Sequence, residues 1–104
     1  MILRIKSDIP AHLQPTCQML MAAFPKGIPA AAYRPLLALL VEHMSLRAIA
    51  KVMELMAVKG YDAAYHDALG AANPRDDAQP TAEEIEQVRH MLLPHGFETW
   101  MASE

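Results

Sequence analysis

Few side chains in this sequence are spaced for chemistry. Five histidines, His12, His43, His66, His90 and His95, are the obvious metal or acid–base candidates, but they are scattered over 104 residues. His90 and His95 are five apart, which does not align them on a helix face, and Cys17 has no second cysteine to join it. No metal site and no cofactor are expected. Cys17 falls on an apolar stripe, where a thiol behaves as a small hydrophobe rather than as a nucleophile. Four isolated glycines build neither a phosphate loop nor a nucleophile elbow. Asp62, Asp67, Asp76 and Asp77 do not follow a calcium-loop spacing and read as loop charge and helix ends. With no catalytic residue to name, the expectation is a protein that is not an enzyme.

Surfaces remain. The run Ser45-Leu46-Arg47-Ala48-Ile49-Ala50 is similar to the first helix of a helix-turn-helix unit, but the glycine needed for the sharp turn within about four residues arrives only at Gly60. Arg47 and Lys51 share the outer face of that helix, with Lys26, Arg34 and Lys59 near in sequence, so a basic rim is a second candidate for weak nucleic-acid binding. An overall charge of -3 argues against it. Trp100 is the third candidate interaction residue. It either packs back onto the domain, the favoured arrangement, or anchors a partner protein or a second copy of the chain, as exposed tryptophan does at interfaces. The eight methionines, Met19, Met53, Met56 and Met91 among them, suit an irregular core better than a binding face.

These candidates must be held by helices. Leu13, Cys17, Leu20, Met21 and Phe24 fall at helical spacing, starting near Ala11, with Pro15 tolerated only in the first turn. Tyr33, Leu36, Leu37, Leu40 and Met44 make the next stripe. Pro29 suits a helix start, and Pro35 demands either a late start or an irregular first turn. Ser45 is a good N-cap, worth about 1 kcal/mol, for a third stripe of Leu46, Ile49, Val52, Met53 and Met56, which Lys59 and Gly60 should end. A short fourth helix over residues 62–69 would present Tyr61, Tyr65 and Leu69. Thr81 and Glu84 form a capping box for the fifth, whose core stripe is Ile85, Val88 and Leu92. No segment alternates long enough to demand a sheet, though residues 3–6 could form one isolated strand. The fold class is all-α, a compact bundle of five short helices.

Composition sets the bounds. One domain is expected at this length, and 53% hydrophobic against 20% charged residues is enough to bury a core without staples. A lone cysteine and the absence of an export signal before Pro10 point to the cytoplasm. The most apolar run, residues 36–41, falls far short of the roughly 20 residues that cross a bilayer, so no membrane is expected as a partner. Residues 1–60 carry a net charge of +4 and residues 61–104 a net charge of -7, which suggests that oppositely charged halves of one bundle face each other.

The segment Phe24-Pro25-Lys26-Gly27-Ile28-Pro29, followed by Tyr33-x-Pro35-Leu36-Leu37-Ala38-Leu39-Leu40, resembles a family of small, mostly actinobacterial proteins catalogued as domain of unknown function 3349. The likeness continues through the Ser45 helix and the closing segment from Pro80-Thr81 to Val88-Arg89 and Gly96-Phe97, covering roughly residues 12–97. Pro94 departs from the family pattern. The resemblance implies a five-helix bundle and no activity. The resulting division is an N-terminal arm over residues 1–10, a single helical domain over 11–97 and a C-terminal tail over 98–104. The functional expectation is a small non-catalytic interaction or accessory module, whose partner is another protein, or a second copy met through the tail.

Overall fold

In a computed structural model that describes residues 10–73 and 79–102, the leucine-rich segment after Pro29 forms a helix buried on nearly every side. The helices in chain order are α1 (Gln14–Ala23), α2 (Ala30–Leu40), α3 (Leu46–Leu55), α4 (Tyr61–Ala72), α5 (Ala82–Leu92) and α6 (Phe97–Ala102). Short 3-10 turns, Ala11–Leu13 and Leu93–His95, precede α1 and α6. No strand occurs among the described residues, and the fold is all-α, as expected. The isolated strand considered for residues 3–6 lies outside the described residues. A radius of gyration of 12.9 Å matches the roughly 13 Å of a packed 100-residue domain.

Helix α2 shows why. Leu36, Leu37, Leu39 and Leu40 are all fully buried, at about 1.5–3 kcal/mol each relative to exposure. A helix apolar all round has to be surrounded, and α4 and α5 pack along it. Pro35 lies inside this helix, which starts at Ala30 and not after the proline. At the opening of the helix the Ala32 amide donates to the Pro29 carbonyl at 2.9 Å. The carbonyl that Pro35 leaves without an amide belongs to Ala31, an exposed residue that water can reach.

Two stripes rotate from their expected settings. On α1, Met21 is 37% exposed, while Thr16 and Met19 are buried in addition to Cys17 and Leu20. The rotation follows from α6, absent from the expected five helices, which packs with its preceding 3-10 turn against that flank of α1. On α4, Leu69 is 49% exposed, and the inward residues are Ala64 and Ala68. Alanines there let the backbones of α3 and α4 approach closely, and this pair makes the most extensive helix contact in the fold. Tyr61 and Tyr65 remain half-buried with their rings stacked at 6.3 Å.

Caps set the ends. The Ser45 hydroxyl accepts from the Ala48 amide at 3.1 Å. Thr81 and Glu84 make both bonds of the capping box, at 2.9 and 3.1 Å. The side-chain amide of Gln79 donates to the Gly70 and Ala71 carbonyls at 2.8 and 3.1 Å, closing the C-terminal end of α4. The end of α3 departs from expectation. Lys59 and Gly60 do not terminate it. Ala57, at φ 59°, takes the left-handed position, with Val58 donating to Met53 and Ala57 to Glu54 in a Schellman arrangement. Gly60 instead precedes the first turn of α4.

A left-handed alanine carries a steric cost that glycine does not, on the order of 1 kcal/mol. Ala57→Gly should therefore raise unfolding stability by about 0.5–1 kcal/mol despite the added chain entropy. Urea denaturation showing a loss instead would mean that α3 ends elsewhere.

Candidate functional site

The turn Leu93–His95 is followed by Gly96, whose φ of 90° reverses the chain so that α6 folds back onto α1. The segment from residue 98, expected as a tail, thus belongs to the bundle as far as Ala102. Phe97, Trp100 and Met101 stand at i, i+3 and i+4, and the first two are buried. Trp100 is 7% exposed, and its indole N–H donates to the Thr16 hydroxyl at 2.7 Å. Thr16 is the buried polar residue of the core, and this bond satisfies both partners. Phe97 stacks on Trp100 at 5.8 Å, and the His43 ring meets both edge-on, at 6.1 and 5.7 Å. The Arg89 guanidinium lies 5.8 Å from the Phe97 ring centre.

Around Trp100 the surface is not filled. An open cavity of about 320 Å³ is bounded by His12, Leu13, Pro15 and Thr16 at the start of α1, by His43 and Met44 after α2, by Ala48 of α3, and by Trp100. A second, of about 390 Å³, lies between α1 and the α5–α6 turn, bordered by Gln18, Met19, His95 and Thr99. Pro15 and Trp100 line both, so the two adjoin at the indole as a two-part furrow with a shared wall.

Of the three candidate interaction residues, Trp100 therefore forms part of a furrow wall and does not project from a tail. Arg47 is exposed on the first turn of α3, and Lys51, one turn on, pairs with Glu54 at 3.3 Å. At about 100° per residue, both lie on one side of the Ala48 direction, Lys51 nearer than Arg47, so they flank the furrow without lining it. Lys59, counted with the rim, is drawn away to Asp67. Sequence reasoning missed Thr16, His43 and Met44 as neighbours of Trp100. The spacing of Phe97, Trp100 and Met101 after a glycine was the signal available for α6.

A second polar cluster joins α2 to α4. The Tyr33 hydroxyl donates to Asp67 Oδ2 at 2.7 Å, and Lys59 Nζ reaches the same oxygen at 3.2 Å while lying 4.9 Å from the Tyr33 ring centre. Burial raises the Tyr33 pKa, and the Asp67 bond and charge raise it further, against the opposing charge of Arg34. Burial also tends to raise the Asp67 pKa, but the bonds from Tyr33 and Lys59, with the charges of Lys59 and Arg34, outweigh it and hold the carboxyl below its usual range. Cys17 is fully buried, and burial pushes its thiol up, away from the reactive thiolate. No group of three or more His, Cys, Asp or Glu among the described residues is arranged to hold a metal ion. No helix among them is long and apolar enough to cross a membrane.

The family described as protein of unknown function (DUF3349) matches residues 11–100, and the chain belongs to it. Neither the curated proteins nor the solved structures contain a match.

Thr16→Val keeps the shape of the side chain but leaves the buried indole N–H without an acceptor. It should cost about 1–3 kcal/mol in urea denaturation, with Thr16→Ser largely restoring stability. Asp67, with its folded pKa lowered, contributes stability that is fully present above its unfolded value of about 4 and is lost as pH falls through the folded value. The urea midpoint should therefore drop on acidification below about pH 5, and Asp67→Asn should flatten that part of the profile. An unchanged acid limb would remove Asp67 from the pH dependence.

Proposed function

We propose that this DUF3349 member is a non-catalytic interaction or accessory module that holds a partner protein in the furrow across Trp100. What supports the reading is a pair of open cavities that share one preorganised wall, Pro15 and Trp100, with the indole fixed by Thr16. A large aromatic held in one orientation costs little entropy on binding, which is what makes tryptophan effective at interfaces. The non-catalytic part rests on the sole thiol, whose burial and raised pKa suit packing rather than attack. We further propose a cytoplasmic location, since a lone thiol with no disulfide partner suits a reducing compartment.

Another protein is favoured over self-association through the tail, because Phe97 and Trp100 already pack within their own chain. It is favoured over nucleic acid as well. Two cations of the basic rim, Lys51 and Lys59, are engaged by Glu54 and Asp67, which weakens the field a phosphate backbone would meet.

Site-specific cross-linking tests the reading. A photoreactive side chain placed at the exposed His12, beside the furrow, should capture a partner protein from source cells, and the same group at the exposed Glu83 on α5 should not. Equal capture from both positions, or none from His12, would overturn the proposal. A nucleic-acid adduct from His12 would favour the rim instead.

A further inference from the structure

The first cavity beside Trp100 opens where the chain enters the bundle. His12 and Leu13, two of its lining residues, belong to the turn that follows Pro10, and the Leu13 amide donates to the Pro10 carbonyl at 2.9 Å. The nine residues before Pro10 lie outside the described residues, and four of them, Ile2, Leu3, Ile5 and Ile9, are large aliphatics. Pro10 takes φ -57° and ψ 142°, outside the helical region, and a residue that precedes a proline is steered toward extended backbone as well. In an extended run alternate residues share a face, so Leu3, Ile5 and Ile9 fall on one side and Arg4, Lys6 and Asp8 on the other. An apolar face of this kind needs cover, and among the described residues there is no strand for it to pair with. Its reach is short. The five steps from Ile5 to Pro10 span at most about 18 Å, less than the smallest molecular dimension of 25 Å, which keeps Ile5 near the start of α1. There the cavity offers Leu13, Pro15, Met44, Ala48 and Trp100 as apolar wall. Its volume of about 320 Å³ is room for one or two aliphatic side chains, since roughly 150 Å³ accommodates a benzene ring.

We propose that residues 1–9 fold back over the first cavity and seat Ile5, with Leu3 beside it, against Trp100, so that a partner protein docks there only by displacing this arm. The cover stands on the cavity and the sequence of the arm, and the displacement rests on the interaction reading above. A segment on so short a tether meets the cavity at an effective concentration on the order of millimolar, which gives it precedence over a second copy or a free partner of modest affinity. Trp100 is the sole tryptophan, so its emission reports the cover directly.

The test uses the full chain. Leu3→Gln plus Ile5→Gln should red-shift Trp100 emission and raise its quenching by acrylamide roughly twofold, as expected when a covered population is emptied, with the helical circular-dichroism signal unchanged. Arg4→Gln plus Lys6→Gln, on the opposite face of the arm, should change neither. Identical emission and quenching in all three chains would overturn the cover. A photoreactive side chain at position 5 supplies a second reading that needs no loss of apolar surface. It should link within its own chain to residues 12–16 or 43–48 or to Trp100, and links elsewhere in the chain or to a second copy would overturn the cover as well. Capture from His12 then separates the two parts of the proposal. It should rise about threefold or more in the Leu3→Gln plus Ile5→Gln chain, because the competing occupant is removed. Unchanged capture of a partner from a chain shown to be uncovered would overturn the displacement and leave the cover in place. No capture even from that chain would overturn the interaction reading, and with it the displacement, while emission and the link from position 5 still decide the cover.

Discussion

Helix α2 has almost no side that can be left in water. From Pro35 to Leu40 every residue is buried, and Tyr33 is buried one turn earlier. That constraint organises the rest of the chain, because no single amphipathic helix could cover a cylinder that is apolar all round. Helices α4 and α5 lie along it, α3 packs chiefly on α4, and α1 packs on α5. The buried polar reach from α2 to α4 is explained by the same geometry. Tyr33 buries its ring and delivers its hydroxyl to Asp67, so a residue with a polar tip joins the helix to α4 without leaving an unsatisfied group.

The closing of α6 on α1 is a different kind of event. Six residues cannot form a stable helix alone, and α6 persists because Phe97 and Trp100 bury themselves between elements that are already in place. Gly96 permits the reversal, and the Thr16 hydroxyl meets the one polar atom the indole brings inside. The result joins residues 84 positions apart in sequence. It also leaves a furrow where the covering helix is too short to fill the space between α1, α3 and the α2–α3 turn.

Fixing Trp100 within the bundle changes what it would offer under the proposed interaction. A projecting tryptophan would have to be ordered on binding, whereas this one is already held in one orientation by Thr16 and Phe97 with only its edge left at the surface. The basic residues of α3 acquire a similar reinterpretation. Arg47 and Lys51 form less a patch of their own than the charged margin of an apolar furrow, and Lys59 is spent on holding Asp67 near Tyr33.

Much of this was legible in the sequence because it depends on local rules. The five longer helices, the Ser45 cap and the Thr81–Glu84 capping box follow from residue spacing and from side chains that bond their own backbone within one turn. What escaped was decided by contacts distant along the chain. Leu69 points outward and Ala64 and Ala68 inward because close backbone approach to α3 rewards small side chains, a preference invisible within α4 itself. The end of α3 is set at Ala57 by a Schellman turn, while the more obvious Gly60 serves the next helix. Pro15 and Trp100 share a wall only because α6 folds back, so the sequence by itself determined the five longer helices, their side-chain caps and the inner faces of α2, α3 and α5. The tertiary structure decided which side chains line a common surface, since a cavity is the space left where separate elements fail to meet.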